Sequence, residues 1–171
     1  KKVFLDKFSK KLCGKFRKGH FEGALDVINR FIEIIEPKYI YLGKKDYQQL
    51  YLIRKHFEKR NIKTKIIEFK TIREDNGVAC SSRNSNLTMN QMKIASDIFN
   101  YLSNLKKKIK KNNDLFKIDK IKKDLINLGA NKIDYLENYD VKNFKKIKRP
   151  NKKFNLFFAY YIKHIRLIDN I

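Results

Sequence analysis

Apolar residues recur at helical spacing over residues 21–36, where Ala24, Leu25, Ile28, Phe31, Ile32 and Ile35 fall on one face. Pro37 forbids continuation of that helix. Residues 38–42 then read as a buried strand. Residues 47–59 read as a helix with Leu50, Ile53, Arg54 and Phe57 in register, and residues 62–69, apolar and β-branched, as the next strand. Strand, helix and strand joined by short links make a parallel β-α-β unit. In such sheets ligands bind beyond the carboxyl ends of the strands. Gly43, Lys44, Lys45 and Asp46 lie at one such end and Thr71-Ile72-Arg73 at the other, so the two segments are expected to line one crevice.

The flanks are less regular. Residues 1–18 mix apolar and basic positions without a period, and Val3-Phe4-Leu5 reads as a strand remnant. Asp75-Asn76-Gly77 is a turn signal, followed by a small, polar stretch to Asn84. Thr88 with Gln91 resembles a capping box, opening a helix over 89–107. Residues 119–128 form a further helix closed by Gly129, and residues 106–113 a charged linker or a frayed helix end. Residues 132–139 and 154–162 read as strands, with Arg166-Leu167-Ile168-Asp169 as a last short one. The domain boundary is placed near Asn86, giving units 1–86 and 87–171, the second a smaller α+β unit.

With 171 residues, 42% apolar and 13% aromatic, the chain can build one large core or two small ones. The formal net charge of +23 on its own favours a polyanionic partner. Lysine is spread over ordinary helix faces, however, arginine is sparse, and no aromatic-basic alternation marks a stacking platform. A solvated lysine surface, with no specific nucleic-acid site, is the expected reading. Cys13 and Cys80 have no paired spacing, so a reduced, cytoplasmic setting without zinc or a disulfide framework is expected. The chain starts at Lys1 with no visible targeting segment, and its apolar runs are too short to span a bilayer, so no membrane partner is expected.

The segment Gly43-Lys44-Lys45-Asp46-Tyr47-Gln48-Gln49-Leu50 carries the sharpest chemistry. A glycine lets backbone approach a phosphate, helix N–H groups point outward, and lysine adds charge. The aspartate and the two glutamines can read hydroxyls or a carboxylate. By composition alone the same residues read as a lysine-rich turn in which Asp46 caps the next helix. Ser81, Ser82 and Arg83 supply two hydroxyls and a guanidinium that can close over a triphosphate, and equally make a polar interdomain loop. Arg17, His20 and the glycines Gly19 and Gly23 either hold an anion or simply enter a helix. His56 and His164 stand alone and read as surface or packing residues. No cluster has metal-ligand spacing, and no Walker A pattern or nucleophile elbow occurs.

Taken together, the segments 17–23, 43–50, Ile72-Arg73, 77–84 and 166–170 resemble the pantothenate synthetase (pantoate–β-alanine ligase) family in order and spacing, over essentially the whole chain. The resemblance implies an α/β fold: the second part of a Rossmann-like parallel-sheet nucleotidyltransferase domain, followed by a small α+β lid domain. It implies that ATP with Mg2+ activates pantoate to pantoyl adenylate and pyrophosphate, and that β-alanine then displaces AMP. On this resemblance Gly43, Lys44, Lys45 and Asp46 contact ATP, Ile72 meets adenine through its backbone, and Gln49 binds pantoate. Cys80, Ser81, Ser82 and Arg83 form the phosphate loop, with Lys45, Ser82 and Arg83 as the catalytic groups. A homodimer is implied for the full-length enzyme.

The chain departs from the family pattern in three ways. The paired-histidine motif, the first strands and an upstream pantoate-binding glutamine do not occur in it, so it is expected to be a C-terminal fragment, inactive alone. Lys44 stands where the family usually has glutamate, and Lys18 where it usually has proline. The competing readings are a basic nucleic-acid-binding or ribosome-associated module, and an adenylate-forming ligase for a different small acid.

Overall fold

The computed structural model describes residues 3–112, 117–141, 144–147 and 154–171. The chain divides into two compact units, Lys1–Thr71 and Ile72–Ile171.

In the first unit, the single-turn helix α1 (Cys13–Phe16) leads into α2 (His20–Ile35), followed by β1 (Tyr39–Gly43), α3 (Tyr47–Arg60) and β2 (Lys65–Phe69). Strands β1 and β2 pair in parallel, Tyr39 opposite Lys65 through Gly43 opposite Phe69, as the strand-helix-strand pattern predicts. Helix α3 stops at Asn61, whose left-handed φ of 51° suits an asparagine better than most residues. The core joins Leu25 and Ile28 of α2 to Ile53 and Phe57 of α3, with Ile40, Leu42 and Ile66 of the strands packed against it.

Two expectations are corrected here. Strand β1 is not buried on both faces. Ile40 and Leu42 face the helices, while Tyr39 and Tyr41 alternate outward and Tyr41 is 63% exposed, its ring 5.7 Å from that of Phe69. The predicted apolar face of α2 is likewise too wide. Leu25 and Ile28 are buried, but Val27, Phe31, Ile34 and Ile35 form an exposed stripe, because α3 and the strand pair cover only one side of the helix.

Residues 3–5 form no strand. The Phe4 N–H instead donates to His56 Nδ1 (3.0 Å), and His56 Nε2 meets Asn29 Oδ1 at 2.7 Å. His56 is therefore no surface residue: it is fully buried, with its proton on Nε2, and ties the N-terminal segment to α2 and α3. Burial, reinforced by the Arg60 charge, pushes its pKa below the ordinary 6.5. The neutral ring is thus the folded form. Its contribution is complete above about pH 6.5, where both states are neutral, and declines as acid protonates the unfolded chain first. The melting temperature is expected to fall between pH 7.5 and 5.5 more steeply than that of a His56→Gln variant, compared by calorimetry at each pH.

In the second unit a hairpin over residues 72–80 brings Arg73 opposite Ala79 and closes at Gly77. Gly77 has φ 87°, and a Cβ there would lie 2.4 Å from the Phe99 ring, so the turn needs glycine twice over. A 3-10 turn (Ser82–Asn86) precedes α4 (Met89–Asn112). The capping box is present: Thr88 N donates to Gln91 Oε1 and Gln91 N to Thr88 Oγ1. Helix α4 outruns its expected end at Lys107, taking in the lysine-rich stretch as far as Asn112; Asn113 lies outside the described residues.

Helix α5 (Ile118–Asn127) ends at Gly129 with φ 111°. Then β3 (Lys132–Asp140), β4 (Phe154–Ile162) and β5 (Ile165–Asn170) form an antiparallel sheet in the order β3-β4-β5. Leu156, Phe158 and Tyr160 of the central strand pack with Ala95, Ile98 and Leu102 of α4 and with Leu125 of α5. Residues 72–86, which the sequence reading groups with the first domain, are held by the second unit through Val78 in this core and through Arg73 on Asp169.

Candidate active site

Gly43 ends β1 in extended conformation, and Lys44, Lys45 and Asp46 make a single 3-10 turn that runs directly into α3. Asp46 occupies the N-cap position of α3, yet its side chain makes no capping hydrogen bond. The bland reading of Asp46 as a cap therefore lacks its defining interaction. The turn presents one exposed carboxylate, two lysines and the start of a fourteen-residue helix at the carboxyl end of a parallel strand. That combination can hold phosphate oxygens and accept from a neighbouring hydroxyl.

Lys44 has an acidic partner in the same unit. Lys44 Nζ lies 3.2 Å from Glu68 Oε2 at the far end of β2, and Glu68 also pairs with Arg54 of α3. Its ammonium charge is offset inside the unit. The acidic partner sits at position 68, which sequence spacing did not single out.

The adjacent glutamines diverge. Gln48 is buried: its Nε2 donates to Phe8 O (2.9 Å) and Lys11 O (2.7 Å), and its Oε1 accepts from Cys13 N (3.0 Å). It is a clamp for the 8–13 segment, with no amide group left to read a substrate. Between its contacts lies Leu12, at φ 46° and ψ −123°, a conformation that costs a branched residue about 1–3 kcal/mol. Gln49 is half-buried on the next helical position and remains the candidate for binding a small polar acid. Helical geometry makes this split, since neighbouring positions point about 100° apart.

At the entry to α2, Arg17 Nη1 donates to His20 Nε2 (2.7 Å), an arrangement open only to an imidazole unprotonated at that nitrogen. A cleft of about 230 Å3 lies there, lined by Leu5, Lys10, Arg17, Lys18, Phe21 and Glu22 among others.

The second unit gathers the other candidates. Cys80 N donates to Ile72 O (3.0 Å), so Ile72 and the start of the serine-arginine turn are neighbours; the Ile72 side chain is 74% exposed. Ser81 Oγ accepts from Arg83 N (3.2 Å), which leaves its O–H free to donate. Asn84 is the buried anchor of the turn, its Nδ2 donating to Glu74 Oε1 and Ala79 O (each 3.2 Å). Ser82 and Arg83 are exposed, and among the described residues Arg83 makes no ion pair. The structure therefore brings Gly43, Lys44, Lys45, Asp46 and Gln49 together in one unit, and Ile72, Cys80, Ser81, Ser82 and Arg83 together in the other. Among the described residues no group of His, Cys, Asp and Glu side chains is placed to hold a metal ion, and no helix is long and apolar enough to cross a membrane.

A parallel strand-turn-helix followed by an antiparallel α+β unit that carries a serine-arginine turn defines a nucleotidyltransferase-like α/β protein. The sequence model described as Pantoate-beta-alanine ligase matches residues 1–171, and the chain belongs to that family. It is 38% identical over 162 residues to the pantothenate synthetase of Flavobacterium psychrophilum, covering 92% of this chain and 57% of that protein. The pantothenate synthetase of Fervidobacterium nodosum is 34% identical over 172 residues, covering 99% and 61%. The pantoate-beta-alanine ligase of Francisella tularensis, solved in complex with beta-gamma ATP and beta-alanine, superimposes with a TM-score of 0.76 at 34% identity, covering 97% of this chain and 55% of that one. The pantothenate synthetase of Thermus thermophilus, at 23% identity and a TM-score of 0.89, covering 99% of this chain and 62% of that one, shows the same fold. The chain thus spans rather more than half the length of the relatives it matches.

Proposed function

We propose that the protein carrying this chain condenses pantoate with β-alanine in two steps driven by MgATP. The pantoate carboxylate attacks the α-phosphorus, the bond to the bridging oxygen breaks, and pyrophosphate leaves. The β-alanine amine then attacks the acyl carbon of pantoyl adenylate, a proton is lost from nitrogen, and AMP leaves with the acyl oxygen. The observation that carries this reading is the lysine turn between β1 and α3, with an Asp46 carboxylate that makes no capping bond and is available for a ribose hydroxyl.

In this proposal Lys45, with Gly43 and Lys44 beside it, holds triphosphate oxygens, Ser81, Ser82 and Arg83 supply hydroxyls and a guanidinium to phosphate, and the backbone of Ile72 and Cys80 meets the nucleotide. Charge builds on the departing pyrophosphate oxygens, and fixed cations and hydroxyls stabilise it without reorganising. Gln49 carries no charge, yet its amide donates to pantoate oxygens and orients the carboxylate for in-line attack. In this reading residues 1–86 carry the nucleotide- and pantoate-binding groups, including a serine-arginine turn that packs in the second compact unit, and residues 87–171 make up the rest of the lid. The working protein is a cytoplasmic homodimer in this reading.

Pyrophosphate release and pantothenate formation test the proposal. A protein of the relatives' full length that contains these 171 residues is expected to make both products from ATP, pantoate and β-alanine. The 171 residues alone are expected to make neither. Activity of the full-length protein with a different small acid, and none with pantoate, would assign it to another adenylate-forming ligase.

A further inference from the structure

The hairpin over 72–80 carries an arginine whose contacts are unlike those of Arg83. Arg73 Nη1 donates to Asp169 Oδ2 (2.6 Å) and Gly77 O (3.0 Å), and Nη2 to Asp169 Oδ1 (3.2 Å) and Asn170 O (3.4 Å). All four terminal N–H groups therefore point at protein acceptors. The guanidinium also lies over Phe99 of α4, its carbon 4.3 Å from the ring centroid. An arginine engaged in this way cannot also hold a phosphate. The fork-to-fork pair with Asp169 is mostly shielded from water, the carboxylate side chain being only 8% exposed.

What the clasp fixes is the serine-arginine turn. Arg73 stands opposite Ala79 in the hairpin, and its neighbour Glu74 and its partner Ala79 are the two groups that receive the Asn84 amide. Asn84 is buried at the heart of the turn, and Cys80 is bonded to Ile72 next door. A continuous set of contacts thus runs from Asp169 on β5, through Arg73 and the hairpin, to Asn84, on which Ser82 and Arg83 are carried.

We propose that the Arg73–Asp169 pair is a positioning device that holds Ser81, Ser82 and Arg83 in the geometry needed to receive a nucleoside triphosphate. This rests on the ligase reading, and it makes Arg73 a positioning residue rather than a catalytic one.

The test uses the full-length protein with Asp169→Asn, which keeps an acceptor for Asn170 N but removes the charge, and with Asn84→Ala, which cuts the tether beyond the clasp. Two readouts are taken. Amide hydrogen exchange at Cys80, Arg83 and Asn84 is expected to quicken about tenfold or more in both variants, with the middle of α4 and α5 unchanged. The kcat/KM for ATP is expected to fall about tenfold to a hundredfold, with the KM for β-alanine unmoved. Faster exchange without a change in ATP kinetics would reduce the pair to a structural tie and overturn the proposal, and so would unchanged exchange. If Asp169→Asn fails to fold, Asn84→Ala alone decides. A parent protein that releases no pyrophosphate from ATP overturns the ligase reading and the positioning role with it, while slower or faster exchange still reports whether the clasp orders the turn.

Discussion

Replacing Lys45 by alanine in the full-length protein is expected to lower kcat for pantoyl-adenylate formation by about two to three orders of magnitude while leaving the melting temperature within about a degree or two. The size follows from what the ammonium does in the proposed reaction. Negative charge shifts onto the leaving pyrophosphate as the bond to the α-phosphorus breaks, and a cation already in place is worth more there than in the bound ground state. Lys45 sits on a turn rather than in the core, so its loss creates no cavity. Lys44→Ala provides the internal comparison: with its charge already set against Glu68, a fall of less than about tenfold is expected. Pyrophosphate release from ATP and pantoate, without β-alanine, isolates the step. Equal effects at the two lysines would remove the argument for a specific phosphate contact.

A second large effect is expected at the residue beside the substrate candidate. Gln48→Leu removes three hydrogen bonds to the backbone of Phe8, Lys11 and Cys13 and buries an aliphatic chain against those polar groups. The cost should be about 3 kcal/mol, seen as a drop of roughly 10 °C or more in the melting of the first unit. Adding Leu12→Gly to this variant should deepen the loss: glycine relieves the φ of 46°, but it also empties a buried side chain, and the cavity outweighs the relieved strain. Gln49→Ala should do the reverse: unchanged melting, and a raised KM for pantoate. If the two glutamine variants behave alike in melting and in kinetics, the division of labour drawn from their contacts is mistaken.

The elements that could be read from the chain are those fixed by local physics. Pro37 ended α2, Thr88 and Gln91 capped α4, and Gly129 closed α5, each through a contact between near neighbours in sequence. The parallel pairing of β1 with β2 followed from the length of the helix between them. What could not be read depended on residues far apart. Gln48 and Gln49 are indistinguishable as letters, and only the return of residues 8–13 across the helix makes one a clamp. His56 looked solitary because its partners, Phe4 and Asn29, lie 52 and 27 positions away. Val3 to Leu5 had strand-forming residues, but among the described residues they pair with no strand, and the imidazole takes the amide of Phe4 instead. In the candidate site, residue types and spacing marked the lysine turn and the serine-arginine turn, but nothing in their letters shows that Glu68 offsets Lys44 or that Asp169 holds the hairpin beneath Arg83.

Tyr39, Tyr41 and Phe69 lie on the open side of a two-stranded ribbon in a polypeptide with a formal charge of +23. Oily patches of this kind invite copies to stick, while like charge keeps them from meeting. The balance turns on the ionic atmosphere: at physiological ionic strength repulsion fades beyond about 8 Å, and aromatic rings can then approach. Self-association of the 171 residues is therefore expected to increase with added salt, and light scattering across a salt series checks it.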